Sequence, residues 1–204
     1  MWAMMKNMAQ WHRVLSQSEI ATAIEAAARR MAADYAGREL VLVGLMDGAL
    51  FFLADLARRL TALCPMPPRL ATLRPQSYGA AAASSGRVHL DPAALPFALT
   101  GADVLVVDDI YDSGRTLRRV LDTLAEKRPR SLEVACLLVK DAPRAEPVTL
   151  RYGLLPVPNQ FVIGAGLDLA GHGRTLPDLW AVEAGTSEQA ALAAFAAQFG
   201  RGAE

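Results

Sequence analysis

Two hydrophobic patterns alternate along this chain. Continuous apolar runs, such as Leu40-Val41-Leu42-Val43-Gly44-Leu45 and Val104-Leu105-Val106-Val107, are too short for helices and show no polar face. Such runs suit strands buried on both sides of a parallel sheet. Between them, apolar residues recur at the spacing of a helix with one buried face. Ile20, Ile24, Ala27, Met31 and Tyr35 form one stripe, opened by Ser16 or Ser18 and closed near Gly37. A turn at Asp47-Gly48 leads into a second helix over residues 50–63, and Leu117, Val120, Leu121 and Leu124 mark a third. Thr186-Ser187-Glu188-Gln189 has the form of a capping box before a last, Ala-rich helix. Further strands are expected at residues 69–73, 132–139, 161–163 and 179–182, while the small, polar residues 76–86 read as a flexible loop. Strand–helix alternation in a chain of 204 residues predicts a single α/β domain, a parallel twisted sheet flanked by helices.

Composition narrows the partners. Net charge is zero, the isoelectric point is about 6.8, and no Lys/Arg run exceeds two residues, so no nucleic-acid surface is expected. Cys64 and Cys136 stand alone in apolar settings and read as reduced packing cysteines. His12, His89 and His172 match no zinc spacing. Residues 1–11 lack the apolar core of a signal peptide, and no run reaches membrane-spanning length. A soluble, cytoplasmic protein with no membrane partner is the expectation.

The chemistry concentrates in residues 104–117. An apolar strand meets two acids, Asp108 and Asp109, where it is expected to end; Asp112-Ser113-Gly114-Arg115-Thr116 then turns into a helix. Open N–H groups at a helix N-terminus, with the helix dipole behind them, bind phosphate. Gly114 lets the backbone come close, and Ser113 and Thr116 add hydroxyl donors. Carboxylates repel phosphate, so three acids in this stretch call for hydroxyls, a metal or a proton. A sugar phosphate carrying a diol, with Mg²⁺ nearby, meets all three demands. Helix capping by Asp112 or Ser113 is the plainer reading, but it leaves the Asp108-Asp109 pair unexplained.

This stretch resembles the 5-phosphoribosyl-1-pyrophosphate (PRPP) signature of type I phosphoribosyltransferases. The resemblance implies that Asp108 and Asp109 hold the ribose hydroxyls and that residues 112–116 cradle the 5-phosphate. Other landmarks resemble the hypoxanthine-guanine branch of that family. Leu45-Met46-Asp47-Gly48-Ala49 is similar to its first pyrophosphate loop, and Gln76-Ser77-Tyr78-Gly79 to its flexible loop with a Ser-Tyr pair. Cys136-Leu137-Leu138-Val139-Lys140 is similar to the strand ending in the purine-reading lysine. Phe161-Val162-Ile163-Gly164, Leu167-Asp168 and Arg174 are similar to the hood over the base.

The resemblance implies a core over about residues 37–145, a small hood subdomain from about 155–183 plus the N-terminal segment, and a flexible loop at 75–87. It implies Mg²⁺-dependent transfer of a phosphoribosyl group from PRPP to a 6-oxopurine, in a homodimer or homotetramer. Asp112 would be the general base or acid at purine N7. Asp47, Gly48 and Arg174 would serve the pyrophosphate, and Lys140, Phe161, Val162 and Asp168 the purine. Asp108, Asp109 and Asp168 would lie near the metal, and Ser77 and Tyr78 would close over the site. Lys140 is one of only three lysines among 21 basic residues, and it ends an apolar strand. Donation from it to a 6-oxo group would reject a 6-amino group.

Two departures stand out. Asp47 occupies a position where the branch usually has Lys or Arg; its backbone is expected to face the pyrophosphate and its carboxylate to face elsewhere. The Met46–Asp47 peptide is a candidate cis bond. Leu169-Ala170-Gly171-His172-Gly173 replaces the aromatic or charged hood residues common in the branch. Two other functions fit less of the chain. A PRPP-binding regulator acting on RNA conflicts with the lack of basic stripes. A phospho-receiver domain needs its acid pair on the first strand, whereas Asp108-Asp109 come mid-chain and Asp122 falls on a helix.

Overall fold

The computed structural model describes residues 9–75, 95–183 and 185–200. In chain order the elements are β1 (Trp11–Leu15), α1 (Gln17–Asp34), β2 (Leu40–Leu45), α2 (Leu50–Leu63), β3 (Arg69–Leu73), β4 (Asp103–Tyr111), α3 (Arg115–Ala125), β5 (Ser131–Lys140), β6 (Tyr152–Val157), β7 (Phe161–Ile163), β8 (Leu179–Val182) and α4 (Glu188–Phe199). A five-stranded parallel sheet runs β3-β2-β4-β5-β6, and a three-stranded antiparallel sheet runs β1-β8-β7.

The expected α/β architecture is present, and strand alternation explains it. Leu40, Leu42, Leu105 and Val107 point to one face, where Phe52, Leu56 and Leu60 of α2 and Ile24, Ala28 and Met31 of α1 cover them. Val41, Val43, Val104 and Val106 point to the other face, against Leu117, Val120 and Leu124 of α3. Each such fully buried Leu or Phe contributes roughly 1.5–3 kcal/mol. Ala28 rather than Ala27 takes the buried place in α1. β4 runs beyond Val107, through both acids to Tyr111, and β5 includes Lys140. Two strands, β1 and β6, were not expected from the pattern.

β2 leads through α2 to β3 on one side, while β4 leads through α3 to β5 on the other. Strand order therefore reverses between the parallel neighbours β2 and β4, and ligands of open α/β sheets bind beyond the carboxyl ends of the strands at such a point. At the opposite end of β4, the fully buried Asp103 accepts hydrogen bonds from Arg130 and, at 2.7 Å, from the Ser131 hydroxyl, with Arg38 3.6 Å away. In the smaller sheet Trp11 lies opposite Val182, which also faces Phe161. The Trp11 indole donates to Ala191 O of α4 at 3.1 Å, and Gln198 bonds both the N–H and the carbonyl of Trp11. Both cysteines are free thiols. No helix among the described residues is long and apolar enough to cross a membrane.

Candidate active site

Two strand-to-helix corners meet beyond the carboxyl ends of β2 and β4. At the first, the chain leaves Leu45 and turns through Met46, Asp47 and Gly48 into α2; the Met46–Asp47 peptide is cis. At the second, Asp112, Ser113 and Gly114 link β4 to α3. Neither helix carries a side-chain cap: the residue before α2 is Ala49, and the residue before α3 is Gly114. The contrast with α1 and α4 is informative, because there the hydroxyls of Ser16 and Ser187 accept from Glu19 and Ala190 N–H groups. Asp112 and Ser113 thus do not cap α3. The first-turn N–H groups of α2 and α3 lack a side-chain acceptor, and both helix dipoles favour an anion between them.

The corners pack tightly. Gly114 has φ +82°, and a Cβ there would stand 2.0 Å from Glu146 O. A Cβ on Gly48 would fall 1.6 Å from Asp109 Oδ2, so the first corner rests directly on the acid pair. Between the corners lies a cavity of about 390 Å³, lined by Gly48, Asp108, Asp109, Asp112, Ser113, Gly114 and Thr116, and by Asp168 and Arg174 from the β7–β8 connection.

Burial dominates the electrostatics of the acid pair. It pushes the Asp108 carboxyl well above the usual carboxylate range, and the charge of Asp109 pushes the same way. Burial also raises Asp109, partly offset by hydrogen bonding with Asp108 and the Ile110 N–H and by the charge of Arg174. Among the described residues no lysine or arginine forms an ion pair with these two carboxylates. Arg174 acts on the pair only through its charge, because its Nη2 sits 2.7 Å from Asp168 Oδ1 and its Nη1 donates to Gly166 O at 2.8 Å. Gly171 N–H donates to the second Asp168 oxygen at 2.7 Å.

Sheet register produces a further contact. Tyr111 of β4 lies opposite Val139 of β5, so the next residues, Asp112 and Lys140, come alongside each other. Lys140 Nζ stands 2.8 Å from Asp112 Oδ2, with the lysine largely buried and the aspartate half exposed. One cation and one carboxylate therefore share the edge of the phosphate turn.

The chain is similar to a family of known proteins. The phosphoribosyl transferase domain matches residues 10–170. The chain belongs to the phosphoribosyltransferase family. The hypoxanthine-guanine phosphoribosyltransferase of Dictyostelium discoideum is 36% identical over 169 residues, covering 81% of this chain and 92% of that protein. The bifunctional protein TilS/HprT of Listeria innocua is 35% identical over 164 residues, 80% of this chain. The chain spans about a quarter of that relative's length, since the match covers 24% of it. A solved Trypanosoma cruzi hypoxanthine phosphoribosyltransferase, in a ternary substrates complex, superposes with a TM-score of 0.78 at 33% identity. That match covers 87% of this chain and 97% of the other.

Within this family member, the expected site residues separate into groups. The acid pair, Asp112, Ser113, Gly114, Thr116, Gly48, Asp168 and Arg174 share the cavity, and Lys140 reaches it through Asp112. Arg115 is exposed on the first turn of α3 and does not line the cavity. Asp47 does not line the cavity; its carboxylate pairs with Arg74 beside the turn. Phe161 is 46% exposed and meets Trp11 edge-on. Val162 is 4% exposed and packed in the core, so only its backbone can meet a base. Ser77 and Tyr78 lie outside the described residues.

The joint metal set of Asp108, Asp109 and Asp168 is not assembled. Among the described residues no three His, Cys, Asp or Glu side chains stand close enough to hold an ion together. The reason is that Asp168 is committed to Arg174 and Gly171. The acid pair by itself still suits a hard divalent cation, which commonly takes one or two carboxylates and completes its shell with water and substrate oxygens.

Sequence reasoning missed the segment that braces the phosphate turn. Glu146 N–H donates to Ser113 O at 3.0 Å, and Arg118 Nη2 donates to Pro147 O at 2.5 Å. The Tyr111 hydroxyl accepts from Val148 N–H at 2.9 Å and donates to Val148 O at 3.2 Å. No local pattern marks residues 141–150 for this role; the one available signal is a tyrosine inside the PRPP motif.

Proposed function

We propose that this phosphoribosyltransferase works in purine salvage. It would transfer the 5-phosphoribosyl group from PRPP to hypoxanthine or guanine, with xanthine a further candidate, giving IMP or GMP and pyrophosphate. One observation carries the reading: two uncapped helix N-termini flank a buried acid pair, with a Lys–Asp pair at its edge. PRPP has matching parts, a phosphate at each end and a diol between. The α3 N-terminus, with Ser113 and Thr116, would take the 5-phosphate. Asp108 and Asp109 would accept the ribose hydroxyls, and Gly48 N–H and Arg174 would face the pyrophosphate.

Asp108 and Asp109 would also hold Mg²⁺, which supplies positive charge to the pyrophosphate oxygens when bound. Purine N9 attacks the anomeric carbon while the bond from that carbon to pyrophosphate breaks. The proton on N7 passes to the Asp112 carboxylate, a role that typically contributes ~10²–10⁴-fold. Lys140, held by Asp112, donates to the 6-oxo group, and Phe161 stacks on the base. The three-stranded sheet would serve as the hood of a single domain over residues 1–204. Family resemblance supports a homodimer or homotetramer acting in the cytoplasm.

The test mixes protein, Mg²⁺ and PRPP with hypoxanthine, guanine, xanthine or adenine and measures nucleotide by chromatography. IMP and GMP are the expected products. No turnover with any 6-oxopurine defeats the reading, and turnover with adenine alone defeats the assignment of Lys140.

A further inference from the structure

Among the described residues the cavity carries four carboxylates, of Asp108, Asp109, Asp112 and Asp168, against a single lining guanidinium, that of Arg174. That guanidinium is engaged by Asp168, and Lys140 is engaged by Asp112. A pyrophosphate ester brings several more negative charges, and among the described residues no cation lines the side of the cavity nearest Gly48.

Sheet register brings an arginine next to the turn that borders it. Leu45 pairs with Leu73, and Met46 N–H donates to Leu73 O at 2.7 Å, so Arg74 emerges beside the turn of Met46, Asp47 and Gly48. Pro75, the next residue, lines the cavity. One nitrogen of Arg74, Nη2, meets Asp47 Oδ1, while the side chain remains 69% exposed. A guanidinium offers five donors in a planar fork, so a single carboxylate oxygen leaves most of them open to phosphate oxygens. Asp47 is thereby explained: an acid beside an anion site is unfavourable alone, but paired with an arginine it fixes the direction of a cation.

We propose that Arg74 binds the pyrophosphate of the phosphoribosyl donor and that Asp47 is the positioning residue that aims it. The proposal rests on the phosphoribosyl-transfer reading above. Neither residue touches the reacting carbon, so the effect belongs to donor and pyrophosphate binding rather than to turnover.

The experiment measures initial rates with PRPP and hypoxanthine varied in turn, inhibition by added pyrophosphate, and pyrophosphate binding by calorimetry. Arg74→Ala is expected to raise the KM for PRPP and weaken pyrophosphate inhibition by about tenfold or more. The KM for hypoxanthine should stay within about twofold. Arg74→Lys restores part of the affinity, and Asp47→Asn weakens it by a smaller factor in the same direction. Unchanged melting temperatures separate these effects from misfolding. Unaltered pyrophosphate affinity in Arg74→Ala overturns the proposal, as does tighter PRPP binding in Asp47→Asn, the sign of simple repulsion. A wild type that binds pyrophosphate through Arg74 but converts no purine upholds this inference and defeats only the transfer reading.

Discussion

Asp112→Asn separates chemistry from architecture. The substitution keeps the shape of the side chain, and the new amide oxygen still accepts a hydrogen bond from Lys140. Only the charge and the capacity to take a proton are lost. The Asp112 side chain is 51% exposed and its ion pair with Lys140 spans 2.8 Å. An ion pair with one half-exposed partner contributes about 0–1 kcal/mol after solvent screening. A domain of this size shifts in Tm by roughly 2–4 °C per kcal/mol, so melting should move by a few degrees at most. Turnover should fall by ~10²–10⁴-fold, the usual contribution of a positioned general base. That loss equals about 2.7–5.4 kcal/mol of transition-state stabilisation, far more than the structural term. Initial rates of IMP formation at saturating PRPP and hypoxanthine give kcat, calorimetry gives PRPP affinity, and thermal unfolding gives Tm. A kcat within about threefold of wild type removes Asp112 from proton transfer. A kcat loss matched by an equal loss of PRPP affinity assigns it to binding instead.

Lys140→Ala should lower kcat/KM for hypoxanthine by at least about tenfold while leaving the KM for PRPP near wild type; equal effects on both substrates would count against purine reading. Gly114→Ala puts a Cβ 2.0 Å from Glu146 O at φ +82°. The left-handed backbone alone costs roughly 1–2 kcal/mol, so a Tm drop of about 2–8 °C and weaker PRPP binding are expected; a wild-type Tm would refute the steric argument. Hydrogen bonding from Arg130, reinforced by Ser131 and by the charges of Arg130 and Arg38, holds the Asp103 carboxyl below the usual carboxylate range. A lowered folded pKa gives stability that is complete above the unfolded value of about 3.9 and is lost as pH falls through the folded one. Unfolding followed from pH 7 to pH 2 should therefore show a shallower acid limb in Arg130→Ala than in wild type, and identical limbs would discount the pair.

The parts of this fold that could be read in the chain are those whose cause is local. β2, α2 and β3 carry uninterrupted apolar faces, and their limits coincide with the pattern. β4 was read short because acids look like a stop, yet the ladder to β5 continues through Ile110 opposite Leu138. Backbone hydrogen bonds are indifferent to side-chain charge at a strand's end. β6 contains Gly153 and Pro156, poor strand residues, and survives because it is an edge strand where a missing donor is tolerated. β1 pairs with β8 across most of the chain, a partnership no window can display. The capping box expected at Thr186 fails because its hydroxyl donates to Glu183 O; Ser187 caps α4 alone, and the full box occurs at Ser16 and Glu19.

The candidate site follows the same division. Residues 108–116 were legible because one contiguous run carries their chemistry. The Lys140–Asp112 contact was not, because the register of two strands creates it. The resting place of the Asp47 carboxylate required Arg74, at the end of a different strand. The resemblance names Val162 beside Phe161 without saying which part of it would meet a base; alternation on β7 turns its side chain into the core and leaves its backbone, while the Phe161 side chain stays outside.

Tryptophan placement gives the molecule a built-in optical probe. Trp11 and Trp180, the two indoles among the described residues, both belong to the β1-β8-β7 sheet, and the larger sheet has none. The emission of these two indoles follows the small sheet, while far-UV dichroism is weighted towards the large one, so in a Trp2→Phe background a single denaturation series can time the two separately. Phe161 lies edge-on to Trp11, with ring centroids 6.3 Å apart. A base docking on that phenylalanine would change the neighbouring indole's quantum yield, making purine arrival visible without a label.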